Sequence, residues 1–119
     1  MKLQESGEMY LETILILSKD NKKVHAVDIA KSMNFSKPSV SRAVNKLKDY
    51  GYLKIDEDDA ISLTKLGSSH ANKIYERHLI LTKLFENYGV DPVLAQEDAC
   101  RVEHVISDKT FNAIKKHLK

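Results

Sequence analysis

Residues 98–107, DACRVEHVIS, carry the chain's only cysteine with a glutamate and a histidine close behind it. On a helix turning about 100° per residue, Cys100 and His104 lie about 40° apart, with Glu103 about 60° to the other side of Cys100. Thiolate, carboxylate and imidazole can then converge on one point, a donor set that suits a divalent transition ion and leaves coordination positions open. Ala95, Ala99, Val102 and Ile106 run beside them as an apolar stripe, so the donors border a buried face. The same residue types have plainer uses: a lone cysteine fills a core, and a Glu–His pair makes a hydrogen bond. Read instead as nucleophile and base, Cys100 and His104 lack a third, orienting group, and a chain with four glycines offers no oxyanion device. Neither an enzyme nor a small-molecule substrate is expected.

Two other stretches add donors. Ile74, His78, Leu81, Phe85 and Tyr88 follow a 4-3-4-3 spacing that turns His78 inward among apolar neighbours. Such a histidine needs a partner, and a satisfied core hydrogen bond would supply one. Met9 and Glu12 share a helical face next to the one bearing Tyr10, Ile14 and Leu17, where Met9 would otherwise be core filler.

These donors need helices to hold them, and helical periodicity dominates the chain. EMYLETILILS predicts a first helix over 8–18 and VDIAKSM a short second one over 27–33. Ser36 suits an N-cap and Pro38 a first turn, opening a third helix from about Lys37 to Tyr50 with Val40, Val44 and Leu47 buried and Gly51 at its end. Tyr52–Ile55 and Ala60–Leu63 alternate around Asp56–Asp59, the pattern of a β-hairpin. Thr64 caps a long helix to about Tyr88, stopped by Gly89. Asp91-Pro92 starts another through about Ile106, and Ser107 caps a last one running to the C-terminus. Helix, short helix, turn, helix and hairpin is the order of a winged helix-turn-helix, a fold that also serves in protein binding.

The third helix has the surface of a DNA reader. With its apolar stripe buried, it shows Ser39, Arg42, Asn45 and Lys46, with Ser36, Lys37 and Pro38 at its tip. Serine hydroxyls and helix N-terminal amides suit phosphates, and Arg42 is expected to reach a guanine edge in bidentate fashion. Between His25 and Lys54 six Lys and Arg face two acids, although the whole chain is only +2. Four consecutive acids, Asp56 to Asp59, would be repelled by phosphate, so the hairpin tip is expected to be a solvated turn rather than a grip on DNA.

Bulk properties exclude several classes. At 119 residues, 42% hydrophobic and 30% charged, the chain is sized for one compact domain or two small ones. No apolar run approaches ~18 residues, so no membrane association is expected. One cysteine allows no internal disulfide, which agrees with a reducing, cytoplasmic setting.

Taken together, EMYLETI at 8–14, SKPSVSR at 36–42, RH at 77–78 and, above all, EDACRVEHVISD at 97–108 resemble the diphtheria-toxin-repressor family of metal-dependent transcriptional repressors, including its manganese-responsive branch. The resemblance runs over nearly the whole chain. It implies a mainly α fold in which residues 1–64 form a winged helix-turn-helix DNA-binding domain and 65–119 a helical metal-binding and dimerisation domain. It also implies a homodimer that represses from double-stranded operator DNA when loaded with Fe(II) or Mn(II). In iron-type members the primary ligands fall on Met9, Cys100, Glu103 and His104, and an ancillary ligand falls on His78. The manganese branch adds a carboxylate that falls on Glu12. Thr82 and Gln96 stand where iron-type members carry further ancillary ligands, which leaves His78 to join Glu12 and Glu103 in a manganese-type arrangement. The family's C-terminal SH3-like domain and the shorter branch's further terminal helix have no counterpart before Lys119, which bears on the dimer interface. Met and Cys tilt the site toward Fe(II), with other divalent transition metals binding in vitro. The rival reading is a winged-helix regulator without metal sensing.

Overall fold

The computed structural model describes residues 3–20 and 23–118. It forms two compact units, Met1–Asn72 and Lys73–Lys119. In the first, α1 (Glu5–Asp20), α2 (Ala26–Met33) and α3 (Lys37–Asp49) precede a hairpin of β1 (Leu53–Ile55) and β2 (Ile61–Leu63). The long helix α4 (Lys65–Asn87) begins in the first unit and continues into the second, which adds α5 (Pro92–Val102) and α6 (Asp108–His117). The fold is thus mainly helical with one antiparallel hairpin. Among the described residues no helix is long and apolar enough to cross a membrane.

The first unit is built on the side chains that periodicity marks. Leu11 and Ile14 of α1, Ile29 of α2, and Val40, Val44 and Leu47 of α3 meet Leu53 and Ile61 of the hairpin in one core. The hairpin registers Leu53 opposite Leu63 and Ile55 opposite Ile61, so all four lie on one face as alternation requires. Val24 adds a rung outside the strands, its carbonyl accepting from Ile61 N at 2.7 Å.

Helix ends follow local chemistry. Ser36 accepts from Ser39 N and Pro38 lies in the first turn of α3. Asp91 accepts from Val93 N and Leu94 N ahead of α5. Gly89 stops α4 with φ 92°, a conformation that only glycine adopts without strain. Several boundaries differ from expectation, and α1 runs on to Asp20, past Ser18. α1 begins at Glu5, not Glu8, because its polar first turn, with Glu5 and Glu8 favoured at the positive end of the helix dipole, carries no apolar signal. α5 ends at Val102, four residues short of Ile106. α6 ends at His117 rather than at the C-terminus, and Lys119 lies outside the described residues. The apolar stripe of α4 also ends early, since Tyr88 is 81% exposed.

Candidate metal centre and nucleic-acid interface

The end of α5 positions the donors of the second unit. Arg77 of α4 donates through Nη1 to the carbonyl oxygens of Glu103 at 3.1 Å and Ile106 at 2.7 Å, and through Nη2 to the Asp108 carboxylate. Its guanidinium also lies 5.4 Å from the centroid of the buried Phe111 ring. These bonds satisfy carbonyls at the end of α5 and fold 103–106 into a tight turn, with Val105 N and Ile106 N both donating to Val102 O. Cys100 therefore lies in the last turn of α5, Glu103 caps it, and His104 belongs to the turn beyond. The one-helix geometry expected for these three is corrected accordingly, yet they still converge.

One sulfur, one nitrogen and one carboxylate oxygen from Cys100, His104 and Glu103 lie within 4.8 Å of one another. Glu103 is fully buried. Its Oε2 is 3.1 Å from His78 Nδ1, and its Oε1 is 3.3 Å from His104 Nε2, whose side chain is also fully shielded. His78 stacks on Tyr75, ring centroids 6.5 Å apart at 13°. The approach to Oε1 falls outside hydrogen-bond geometry, so that oxygen accepts no hydrogen bond among the described residues. A carboxylate oxygen with no donor in a fully buried place is costly, and a cation would relieve it. Metal–ligand bonds of about 2.0–2.3 Å set donors no more than ~4.6 Å apart, close to the spread found here. Thiolate, imidazole and carboxylate together fit a divalent transition ion.

Of the six expected ligands, the second unit therefore gathers His78, Cys100, Glu103 and His104. Met9 and Glu12 belong to α1 in the first unit, one turn apart, half-buried and buried respectively.

The first unit presents the expected DNA-reading residues on α3. Ser36, Lys37, Pro38, Arg42, Asn45 and Lys46 are exposed and Ser39 half-buried. Ser36 Oγ donates to Ser39 Oγ at 2.9 Å, and Arg42 Nη2 donates to Ser39 Oγ at 3.4 Å. Asn45 Nδ2 turns back to Ser41 O at 2.8 Å. Burial pushes the Tyr10 phenol above its usual value, and the nearby charge of Arg42 lowers it part of the way back. The hairpin tip is tied to the body of this unit. Asp56 Oδ1 accepts from Asp58 N at 2.8 Å and Ala60 N at 3.0 Å, and Lys23 Nζ lies 3.1 Å from the Asp58 carboxylate. His25 Nε2 lies 3.2 Å from Asp58 O.

Sequence reasoning used Arg77 only as the basic residue before His78 and missed its grip on the 103–106 turn. Its targets are mostly backbone carbonyls, which leave no mark on side-chain pattern. It also passed over Lys23, because that cation lies before the basic segment.

The family described as the iron dependent repressor, N-terminal DNA binding domain, matches residues 2–61. Its metal binding and dimerisation domain matches residues 64–119. The chain belongs to the iron-dependent repressor family, that of the diphtheria toxin repressor. It is 33% identical over 115 residues to an uncharacterized HTH-type transcriptional regulator of Methanocaldococcus jannaschii, covering 95% of this chain and 92% of that one. It is 30% identical over 118 residues to the diphtheria toxin repressor of Corynebacterium diphtheriae, covering 98% of this chain and 52% of the repressor. The structure of the manganese regulator SloR superposes with a TM-score of 0.82 at 29% identity, over 98% of this chain and 54% of that one. The chain thus spans about half the length of the latter two.

Proposed function

We propose that the chain is a metal-dependent transcriptional repressor that binds double-stranded operator DNA as a homodimer when loaded with Fe(II) or Mn(II). The observation that carries this reading is Glu103, a fully buried carboxylate set between two histidines with Oε1 lacking a hydrogen-bond donor, close to Cys100. Its place in a chain whose other unit presents an exposed cationic recognition helix joins a metal centre to a DNA reader.

In this reading residues 1–64 bind DNA and 65–119 bind metal and dimerise. Met9, Cys100, Glu103 and His104 form one ligand set, and Glu12 and His78 share Glu103 in a manganese-type arrangement. A bound divalent cation would neutralise the buried carboxylate and hold its ligands together. Ligands on α1 would make the order of that helix, which packs in the same core as α3, depend on ligation. Thiolate and thioether favour Fe(II), while the likeness to a manganese regulator supports Mn(II). On the DNA side, Ser36, Lys37, Pro38 and Ser39 lie where phosphates approach a helix start, Arg42 reads a guanine edge, and Asn45 and Lys46 flank it. The exposed Leu79, Tyr88, Val93 and Leu94 of the second unit are apolar surface that a homodimer would cover.

Thermal unfolding with Mn(II), and anaerobically with Fe(II), tests the metal centre. An ion at a hundred times its Kd stabilises the folded state by about 2.7 kcal/mol. Cys100→Ala and His104→Ala should remove that rise in Tm. A wild-type Tm indifferent to both metals would leave a winged-helix regulator without metal sensing.

A further inference from the structure

We propose that Glu8 and His70 form a metal-independent latch that fixes the start of α1 and so positions Met9 and Glu12 for ligation. The inference rests on the reading of those two residues as ligands. His70 Nε2 lies 2.9 Å from Glu8 Oε2, joining positions 62 residues apart within the first unit. The side chains are 30% and 14% exposed, so water competes less for this pair than for one on the open surface. As the imidazole donates from Nε2 to a carboxylate, the bond needs no proton beyond that of the neutral ring.

His70 stands on a rigid base. The edge of its ring meets Tyr52, centroids 6.0 Å apart at 79°. Tyr52 is buried, and its carbonyl accepts from Thr64 N at 3.1 Å. One turn before His70, a Cβ added at Gly67 would come within 2.0 Å of Tyr52 O. Only glycine permits this approach, so the first turns of α4 are seated on the end of β1's leading segment before His70 reaches across.

Glu8 is on the soft side of the contact. It lies in the first turn of α1, and helix starts leave their leading N–H groups without intrahelical partners and open readily. Met9 follows Glu8 directly, and Glu12 is one turn on along the same face. If α1's start is open, ligation must close it, and the apparent metal affinity falls by the fraction of molecules already closed. The latch raises that fraction before any ion arrives.

The test uses the full chain with Co(II) alone as probe, read by thiolate-to-cobalt absorption, together with amide exchange of the metal-free protein. His70→Leu should speed exchange at residues 9–13 while leaving the α3 amides unchanged, and should raise the cobalt half-saturation point roughly three- to ten-fold. His70→Gln, whose amide can still donate to Glu8, should return both readings to within about two-fold of wild type. Should His70→Leu fail to fold, Glu8→Ala, which removes the acceptor, carries the same comparison. Glu12→Ala is run alongside. A cobalt midpoint moved by Glu12→Ala but not by His70→Leu overturns the latch alone. A midpoint moved by neither overturns the ligand reading beneath it and the latch with it.

Discussion

Glu103 concentrates the chemistry of the second unit in one side chain. Its carboxylate is fully buried, meets His78 and His104 on its two oxygens, and leaves Oε1 without a hydrogen bond. Removing one partner of a buried pair leaves the other uncompensated, so Glu103→Gln should lower metal-free stability by about 1–3 kcal/mol. It should also remove the metal-induced rise in Tm. Urea unfolding with and without Mn(II) separates the two effects. A Mn(II)-induced stabilisation that survives in Glu103→Gln would show that this carboxylate is not a ligand. The donors themselves were legible in the sequence, since Cys100, Glu103 and His104 stand close together and His78 falls on an apolar stripe. The precision of their meeting was not, because it depends on a helix end that no side-chain spacing marks.

That end is the work of Arg77, and it shows where sequence reasoning stops at the level of elements. Every helix and both strands were legible from apolar periodicity, caps and the alternation of the hairpin. The boundaries that moved lie where backbone groups or polar residues decide: the acidic first turn of α1, and the turn after Val102 held by a guanidinium on its carbonyls. Lys cannot reproduce that fork. Arg77→Lys should lower stability by about 2 kcal/mol and weaken metal binding, both read from urea midpoints with and without ion. A loss below about 0.5 kcal/mol would show that the turn closes without it. The hairpin tip makes a second case. The Ala60 N–H, then the Asp58 N–H and the charges of Lys23 and His25, hold the Asp56 carboxyl below its ordinary 3.8 against a smaller opposing effect of desolvation. A depressed carboxyl favours the folded turn above pH 3.8, and that contribution is lost as pH falls through the lower folded value. Carboxyl NMR should place the Asp56 midpoint under 3.8, with the Ala60 amide shifting in the same step. A midpoint at or above 3.8 would mean that the turn is open.

The whole molecule divides its chemistry between two compact units. One carries a cationic recognition helix on a well-packed core, and the other a buried cluster suited to a transition ion. Metal and operator are coupled if the ion favours the DNA-competent state, and linkage makes the coupling reciprocal. A ten-fold preference corresponds to ~1.4 kcal/mol of tighter DNA binding. A symmetric dimer would present two α3 helices to half-sites about one helical turn of DNA apart. The most direct measurement is fluorescence anisotropy of a duplex from the chain's own upstream region, titrated with protein in Mn(II), in anaerobic Fe(II) and in chelator. Affinity should be at least roughly ten-fold tighter with metal, an effect reversed by chelator and lost in Cys100→Ala and His104→Ala, and Arg42→Ala should bind without sequence preference. Equal affinity with metal and with chelator would contradict metal-dependent repression.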